Sequence, residues 1–475
     1  MLDQGGHATR AIIFSQSGEI IFHTESKIRT IEKTGNIVEH DSDELLNSFD
    51  NVLSSAEDFL QKKNLDIVSL GLATQRSSFV AVNADTLKAI GNIISWQDRR
   101  SASTLEKYQS NANKIYQQTG LVLNAHYGAS KMRWCLENNE NVKKAAEKST
   151  LLFAPIASYI LLHILNEKPF LVDPANASRT LLMNLETCAW DQSLLDLFEI
   201  DESYLPKIHP TFSNYGTVTL NSKKIPLKVC TGDQNATLFA HGQPKSNEVY
   251  VNVGTGAFIL NVHQELHSNI KSKILKSILY KSEETSLYAL EGTVNGAGRA
   301  LQWLAEKHNI ESYETELNHW LSTYTDPPIF INGISGLGSP FWVPELESYF
   351  EFETSVEEKF VAVAESIIFL IKVNIDILRN EQPSINQIIL SGGLSNNKHF
   401  CQHLANLCLL PILVSTDSEA TAKGVYTLLN KAKDSLFQCE TFDSQHSFQH
   451  LRANKLEQRF NRWKQLLSTQ LPDFK

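Results

Sequence analysis

The sequence predicts an α/β fold shared between two domains, and three observations lead there. At 475 residues the chain exceeds what one hydrophobic core ordinarily serves. Short apolar strand patterns alternate with longer helical ones, the signature of mixed sheets covered by helices. Two strand–glycine-turn–strand units, one near the start and one opening at Glu248, suggest a duplicated architecture.

The first unit is a hairpin. Ala11-Ile12-Ile13-Phe14 and Glu19-Ile20-Ile21-Phe22-His23 flank a Ser-Gly turn over Ser15 to Gly18. Ahead of it lies the polar loop Asp3-Gln4-Gly5-Gly6-His7. Only two residues precede Asp3, so the opening strand is expected to be short and its sheet weakly held there. Ser42 to Lys62 carries leucine, phenylalanine and valine at helical spacing and predicts a helix with a polar face. Asp66 to Leu72 reads as a short buried strand running into the polar loop Ala73 to Ser78. The longest apolar stretch, Leu151 to Leu165, reads as a buried helix and is too short to span a bilayer.

Ile225 to Cys230 is a strand leading into Thr231-Gly232-Asp233-Gln234-Asn235 and a helix. The second unit runs from Glu248 to Val253, through Gly254-Thr255-Gly256, and on to Val262. Ser355 to Arg379 predicts a long helix, and Asn386 to Leu390 a strand that enters Ser391-Gly392-Gly393 before another helix. A polar stretch, His241 to Asn247, sets the boundary. The expected domains are residues 1–243 and 244–430, followed by a polar tail, 431–475, whose Leu456, Phe460, Trp463 and Leu467 predict a final helix.

Composition excludes several classes. The chain is 42% hydrophobic and 20% charged, as soluble globular proteins are. A net charge of −10 with no basic stripe argues against nucleic acid. The N-terminus has no signal pattern, so a cytoplasmic location without membrane attachment is expected. Six cysteines without paired spacing predict neither a disulfide framework nor a zinc site. A homo-oligomer is left open.

Glycine turns at strand ends let backbone amides approach phosphate oxygens, because no Cβ intervenes. Gly5-Gly6, Gly254-Thr255-Gly256 and Gly392-Gly393 are three such turns. Asp233 stands where a strand ends and a helix begins, a place where α/β proteins collect ligands and also where aspartate caps helices. Arg76 offers a fork for two hydroxyls and Trp96 a face for a carbon chain, though surface pairing and core packing suit them equally.

In order and wording these segments resemble the FGGY family of carbohydrate kinases, its glycerol kinases most of all. The stretches that carry the likeness are Asp3-Gln4-Gly5 with Arg10, Thr74-Gln75-Arg76, Trp96-Gln97-Asp98-Arg99-Arg100, Asn176-Ala177-Ser178-Arg179-Thr180, Gly232-Asp233-Gln234, Gly254-Thr255-Gly256, Leu290-Glu291-Gly292 and Gly392-Gly393. The resemblance implies a two-domain actin-like ATPase (ribonuclease H-like) fold with an interdomain cleft, and ATP-dependent phosphorylation of a hydroxyl of a small sugar or polyol. It makes Asp233 the catalytic base and puts Arg76, Trp96, His126, Gln234 and Phe258 around the acceptor. It assigns Asp3 to Mg2+, and Gly5, Gly6, Gly254, Thr255 and Gly256 to the phosphates of ATP. Gly298, Gln302, Gly392, Gly393 and Asn396 fall to the rest of the nucleotide. A catalytically weak sugar- and nucleotide-binding sensor of the same fold is the alternative.

Three departures shape the expectation. Ser77 follows Arg76 where glycerol kinases have glutamate, and His126, beside Tyr127, stands where they have tyrosine. Both point away from glycerol, toward a longer polyol or a ketose. Gly6 and His7 replace the usual hydroxyl residue of the first phosphate loop; His7 either donates to a phosphate or faces solvent.

Overall fold

The computed structural model describes residues 1–34, 36–266, 272–415, 419–430, 447–451 and 454–471. Residues 431–446 of the polar tail, and Cys439 with them, lie outside the described residues.

In chain order, the elements of the N-terminal half that position the site are β1 (Leu2–Gln4), β2 (Ala8–Phe14), β3 (Ile20–Lys27), α1 (Ser42–Lys63), β4 (Leu70–Thr74), β5 (Phe79–Asn83), α2 (Gly128–Asn138), β6 (Leu151–Pro155), α3 (Ile156–Ile164), α4 (Pro174–Ser178), β7 (Phe212–Leu220), β8 (Lys223–Gly232) and α5 (Asp233–Thr237). Those of the C-terminal half are β9 (Glu248–Val253), β10 (Ala257–His263), β11 (Leu275–Lys281), β12 (Ser286–Val294), α6 (Gly298–His308), α7 (Tyr313–Thr323), α8 (Val356–Glu381), β13 (Gln387–Ser391), α9 (Lys398–Cys408), β14 (Ile412–Val414), α10 (Ala420–Asn430), β15 (Ser447–Phe448) and α11 (Asn454–Gln470).

The halves repeat one plan. The first sheet runs β7-β8-β4-β1-β2-β3 and the second β11-β12-β10-β9-β13-β14-β15. In each, an opening strand (β1 or β9) pairs antiparallel with the next strand on one side and parallel with a later strand on the other. β4, paired in parallel on both edges, is buried along all five of its residues and reads as a continuous apolar run.

Helix α1 shows how local sequence sets an element. The Asp41 carboxylate accepts from the amides of Asp43 and Glu44 at 2.9 and 2.8 Å, and Asn64 closes the helix in a left-handed turn. Its apolar stripe, Leu45, Phe49, Val52, Ala56 and Leu60, is buried.

Three expectations need correction. Leu151 to Leu165 is not one helix: Leu151–Pro155 pairs antiparallel with β5, and the helix starts only at Ile156. Pro155, with extended ψ, is the hinge between them. The buried strand begins at Leu70 rather than Asp66, and Val68 is 75% exposed. β1 is three residues long but lies inside its sheet, held by β2 and β4, so it is not a weak margin.

A mixed core joins the halves. Ile12, Ala73, Val229 and Phe239 from the first pack with Tyr250, Val262 and Ile389 from the second, together with Ala422, Val425 and Leu428 of α10. Helix α10 approaches so closely that a Cβ at Gly424 would stand 1.8 Å from the Ala236 carbonyl of α5.

Candidate active site

Parallel pairing gathers the acidic and basic candidates at one edge. Asp3 is in register with Ala73, and Gln4 and Gly232 are both in register with Thr74. The C-terminal ends of β1, β4 and β8 therefore deliver Asp3, Arg76 and Asp233 to neighbouring positions, the side of a parallel sheet where ligands bind. The Gln75 amide donates to the Gln4 carbonyl at 2.8 Å, holding the loop after β4 against β1.

Arg76 is aimed by its neighbours. Its Nη1 donates to Asn235 Oδ1 at 2.9 Å and its Nη2 to Gln234 Oε1. Asn235 in turn donates to the Ile278 carbonyl of β11 at 2.8 Å, so the arginine is tied to the other half of the molecule. Gly232 makes room: a Cβ there would meet Arg76 Cδ at 2.6 Å. Asp233 does not cap α5. The cap position is Gly232, and the carboxylate accepts from the adjacent Gln234 amide, at 2.7 Å.

Burial raises the pKa of Asp233, with Arg76 and the Gln234 amide pulling it back. Burial, reinforced by the charges of Asp233 and Glu419, raises that of Asp3 to about 7 against the opposing pull of Arg10.

Trp96 and His126 form a second wall. The Trp96 amide donates to Ser78 Oγ at 2.9 Å, and its ring lies 5.5 Å from that of His126, which stands 5.0 Å from Tyr127. Burial, and then Lys131, Arg99, Arg179 and Arg76, hold His126 well below the ordinary histidine range. Phe258 is half-buried on β10, in register with Asn252 and Thr293. No hydrogen bond or ring contact ties it to Arg76, Trp96 or Asp233 among the described residues.

In the second half, the turn after β9 and the start of α6 enclose a cavity of about 850 Å³. Gly254, Thr255, Gly298, Gln302, Gly393 and Asn396 line it. The Gly298 amide donates to the Gly254 carbonyl at 2.9 Å, fixing helix against turn. Gly392 adopts φ +93°, and a Cβ there would stand 2.5 Å from the Val253 carbonyl.

Other glycines fall elsewhere. Gly5, whose amide donates to the Ala8 carbonyl at 3.0 Å, and Gly6 make the β1–β2 turn. Gly256 and Gly392 are not in the cavity wall; Gly392 lines a smaller one, about 370 Å³, with Arg10, Asn252 and Glu419. The His7 ring is exposed, 3.5 Å from Thr30 Oγ1.

Sequence reasoning left Arg10 without a role. Its guanidinium lies 4.0 Å from Asp3 and 3.6 Å from Glu419. The signal was present: Asp3 and Arg10 face each other across the first turn, an opposite-charge cross-strand pair. No described helix is long and apolar enough to cross a membrane.

Two sheets of one plan, with acidic strand ends in one half and a glycine-lined cavity in the other, define a two-domain ATPase-fold phosphotransferase. Residues 1–240 match the N-terminal domain, and residues 249–432 the C-terminal domain, of the FGGY family of carbohydrate kinases, and the chain belongs to that family. It is 30% identical over 438 residues to glycerol kinase 1 of Thermotoga maritima, covering 89% of this chain and 88% of that one. A glycerol kinase of Rippkaea orientalis is 31% identical over 436 residues, 89% and 87% of the two chains. The Plasmodium falciparum glycerol kinase solved with ADP superposes with a TM-score of 0.90 at 24% identity, over 98% of this chain and 97% of that one. The family sets the activity in outline: ATP-dependent phosphorylation of a hydroxyl of a sugar or polyol.

Proposed function

We propose that Asp233 is the general base of this phosphotransfer and that the acceptor lies against Arg76, Gln234, Trp96, His126 and Phe258. One observation carries the reading: the Asp233 carboxylate is half-buried, feels the charge of Arg76 and is left unused by helix capping. The acceptor oxygen bonds to the terminal phosphorus as the bridge to ADP breaks, and its proton passes to Asp233 Oδ. Arg76 and Gln234, already joined, orient the hydroxyls, while the Trp96 ring covers the carbon chain.

ATP is assigned to the glycine-lined cavity, with Gln302 and Asn396 at its walls and Thr255 nearest the phosphates. Gly5, Gly6 and Gly256 do not line that cavity and are assigned to the phosphate end beyond it. Asp3 suits Mg2+, since that ion takes one or two carboxylates besides phosphate oxygens, and no cluster of three metal-binding side chains stands among the described residues. Bound there, it would neutralise charge on the phosphates.

Asp233→Asn tests the reading. Turnover should fall about a hundred- to ten-thousand-fold while nucleotide affinity stays unchanged. Near-normal turnover on the best acceptor would remove Asp233 from the role.

A further inference from the structure

Hydrogen bonds run in series from the acceptor wall to the first glycine turn. The Trp96 amide donates to Ser78 Oγ at 2.9 Å, and Ser78 Oγ donates to Gln75 Oε1 at 3.2 Å. Gln75 Nε2 donates to Gln4 Oε1 at 3.2 Å, and Gln4 Nε2 to the Gly5 carbonyl at 2.6 Å. Gln4, Gln75 and Ser78 are 0, 3 and 2% exposed, so a missing link leaves a buried polar atom unpaired.

Both ends fix the direction of this chain. The Trp96 N–H only donates and the Gly5 carbonyl only accepts. Each side chain between them must therefore accept on the acceptor side and donate on the phosphate side. Turning either glutamine amide over would set two donors or two acceptors face to face. One arrangement satisfies every member, and a satisfied buried network rigidifies what it joins.

Each end is also held a second time. The peptide unit between Ser95 and Trp96 gives its N–H to Ser78, and its carbonyl accepts from Lys131 Nζ of α2 at 2.8 Å. The indole ring itself stays exposed. At the other end the Gln75 backbone amide donates to the Gln4 carbonyl at 2.8 Å, beside the side-chain bond between the same two residues.

We propose that Gln75, acting through Ser78 on one side and Gln4 on the other, is a positioning residue that holds the acceptor wall at Trp96 and the phosphate turn at Gly5 at one spacing. Transfer depends on that spacing, because the acceptor oxygen and the terminal phosphorus must meet in line, and a misplacement of about 1 Å costs roughly a hundredfold.

This inference rests on the acceptor and phosphate sites proposed above, and the experiment separates the two. Gln75→Glu inverts one link without changing its size. Ionised, the new side chain sets an oxygen against Gln4 Oε1 and breaks the chain. Protonated, its O–H donates to Gln4 and its carbonyl accepts from Ser78, as glutamine does. Full-length variant and parent are assayed for ADP release with ATP and Mg2+ from pH 6 to pH 9, on the best acceptor of a polyol and ketose panel, with kcat expressed per ADP-binding site. The variant-to-parent ratio of kcat should be about one tenth or lower at pH 9 and rise at least fivefold toward pH 6, with KM for ATP within threefold throughout. A ratio that does not move with pH overturns the inference and leaves Asp233 in its role. Ser78→Ala and Gln4→Met cut the chain from its two ends, and each should lower kcat about tenfold. Combined, they should lose no more than twice the larger single loss, because either cut opens the same chain. Losses that multiply in the double variant also overturn it, and a parent inactive on every acceptor overturns both readings.

Discussion

Arg179 and Glu291 join the two halves of the molecule through a buried ion pair. Arg179 Nη2, in the turn after α4, donates to Glu291 Oε2 on β12 at 2.6 Å, and both side chains are almost fully enclosed. Ser277 Oγ donates to the same carboxylate at 2.9 Å and accepts from Arg179 at 2.9 Å. Burial opposes both charges, yet mutual attraction dominates: the arginine pKa is raised and the glutamate pKa lowered. Glu291→Ala strands a buried guanidinium, and such a loss costs roughly 3–5 kcal/mol. Urea unfolding should show it, and Arg179→Met combined with Glu291→Leu should cost less than Glu291→Ala alone.

Gly392 sits where β13 leaves the second sheet and turns to the cavity. Its φ of +93° and the 2.5 Å approach of a Cβ to the Val253 carbonyl act together. Gly392→Ala must move either its own turn or the end of β9, which leads into Gly254 and Thr255. Backbone strain of this kind costs about 1–3 kcal/mol. The expected outcome is a lower melting temperature with a raised KM for ATP and a smaller change in KM for the acceptor, read by steady-state kinetics.

Asp3 makes the ligand-free protein less stable as pH rises. Its pKa moves from 3.8 up to about 7 on folding. Between roughly pH 4 and pH 7 the folded chain keeps a proton that the unfolded chain has lost, so the free energy of unfolding declines through that window and levels above it. Asp233, shifted the same way, adds to the slope. Thermal unfolding from pH 5 to pH 8 should show the decline, and Asp3→Asn should flatten it. With Asp3 and Asp233 in the roles proposed for them, activity runs the other way and rises through this range, because both would act as ionised carboxylates.

The sequence disclosed the alternation of strands and helices, the duplicated strand–turn–strand units and the limits of α1 and α8 to within two residues. Those signals are local: caps, periodicity and turn glycines. Leu151 to Leu165 misled because β6 and most of α3 are buried on every side, which erases the periodicity that separates strand from helix. At the site, the clustering of Asp3, Arg76 and Asp233 follows from parallel register across residues far apart in sequence. The Arg179–Glu291 contact spans 112 positions, and nothing near either residue announces its partner. Arg10 was the exception, since its pairing with Asp3 is a property of the first hairpin.

The terminal helix α11 is a structural clamp on the second half, outside the nucleotide cavity wall. Leu456, Phe460, Trp463 and Leu467 form one buried stripe. Phe369 of α8 lies 5.5 Å from the Phe460 ring and 5.7 Å from that of Trp463. Arg459 reinforces the contact, donating to Glu365 at 2.5 and 3.0 Å. Truncating an enclosed aromatic removes its transfer energy and leaves a cavity, so Trp463→Ala should cost about 3–5 kcal/mol. The indole Nε1–H, however, has no hydrogen-bond partner among the described residues. Trp463→Phe therefore removes a buried unsatisfied donor while keeping most of the aromatic contact, and the two effects oppose each other. Chemical denaturation should place Trp463→Phe within about 1.5 kcal/mol of the parent, well above Trp463→Ala. The KM for ATP should stay within twofold in both variants, because the helix braces the core and makes no part of the site.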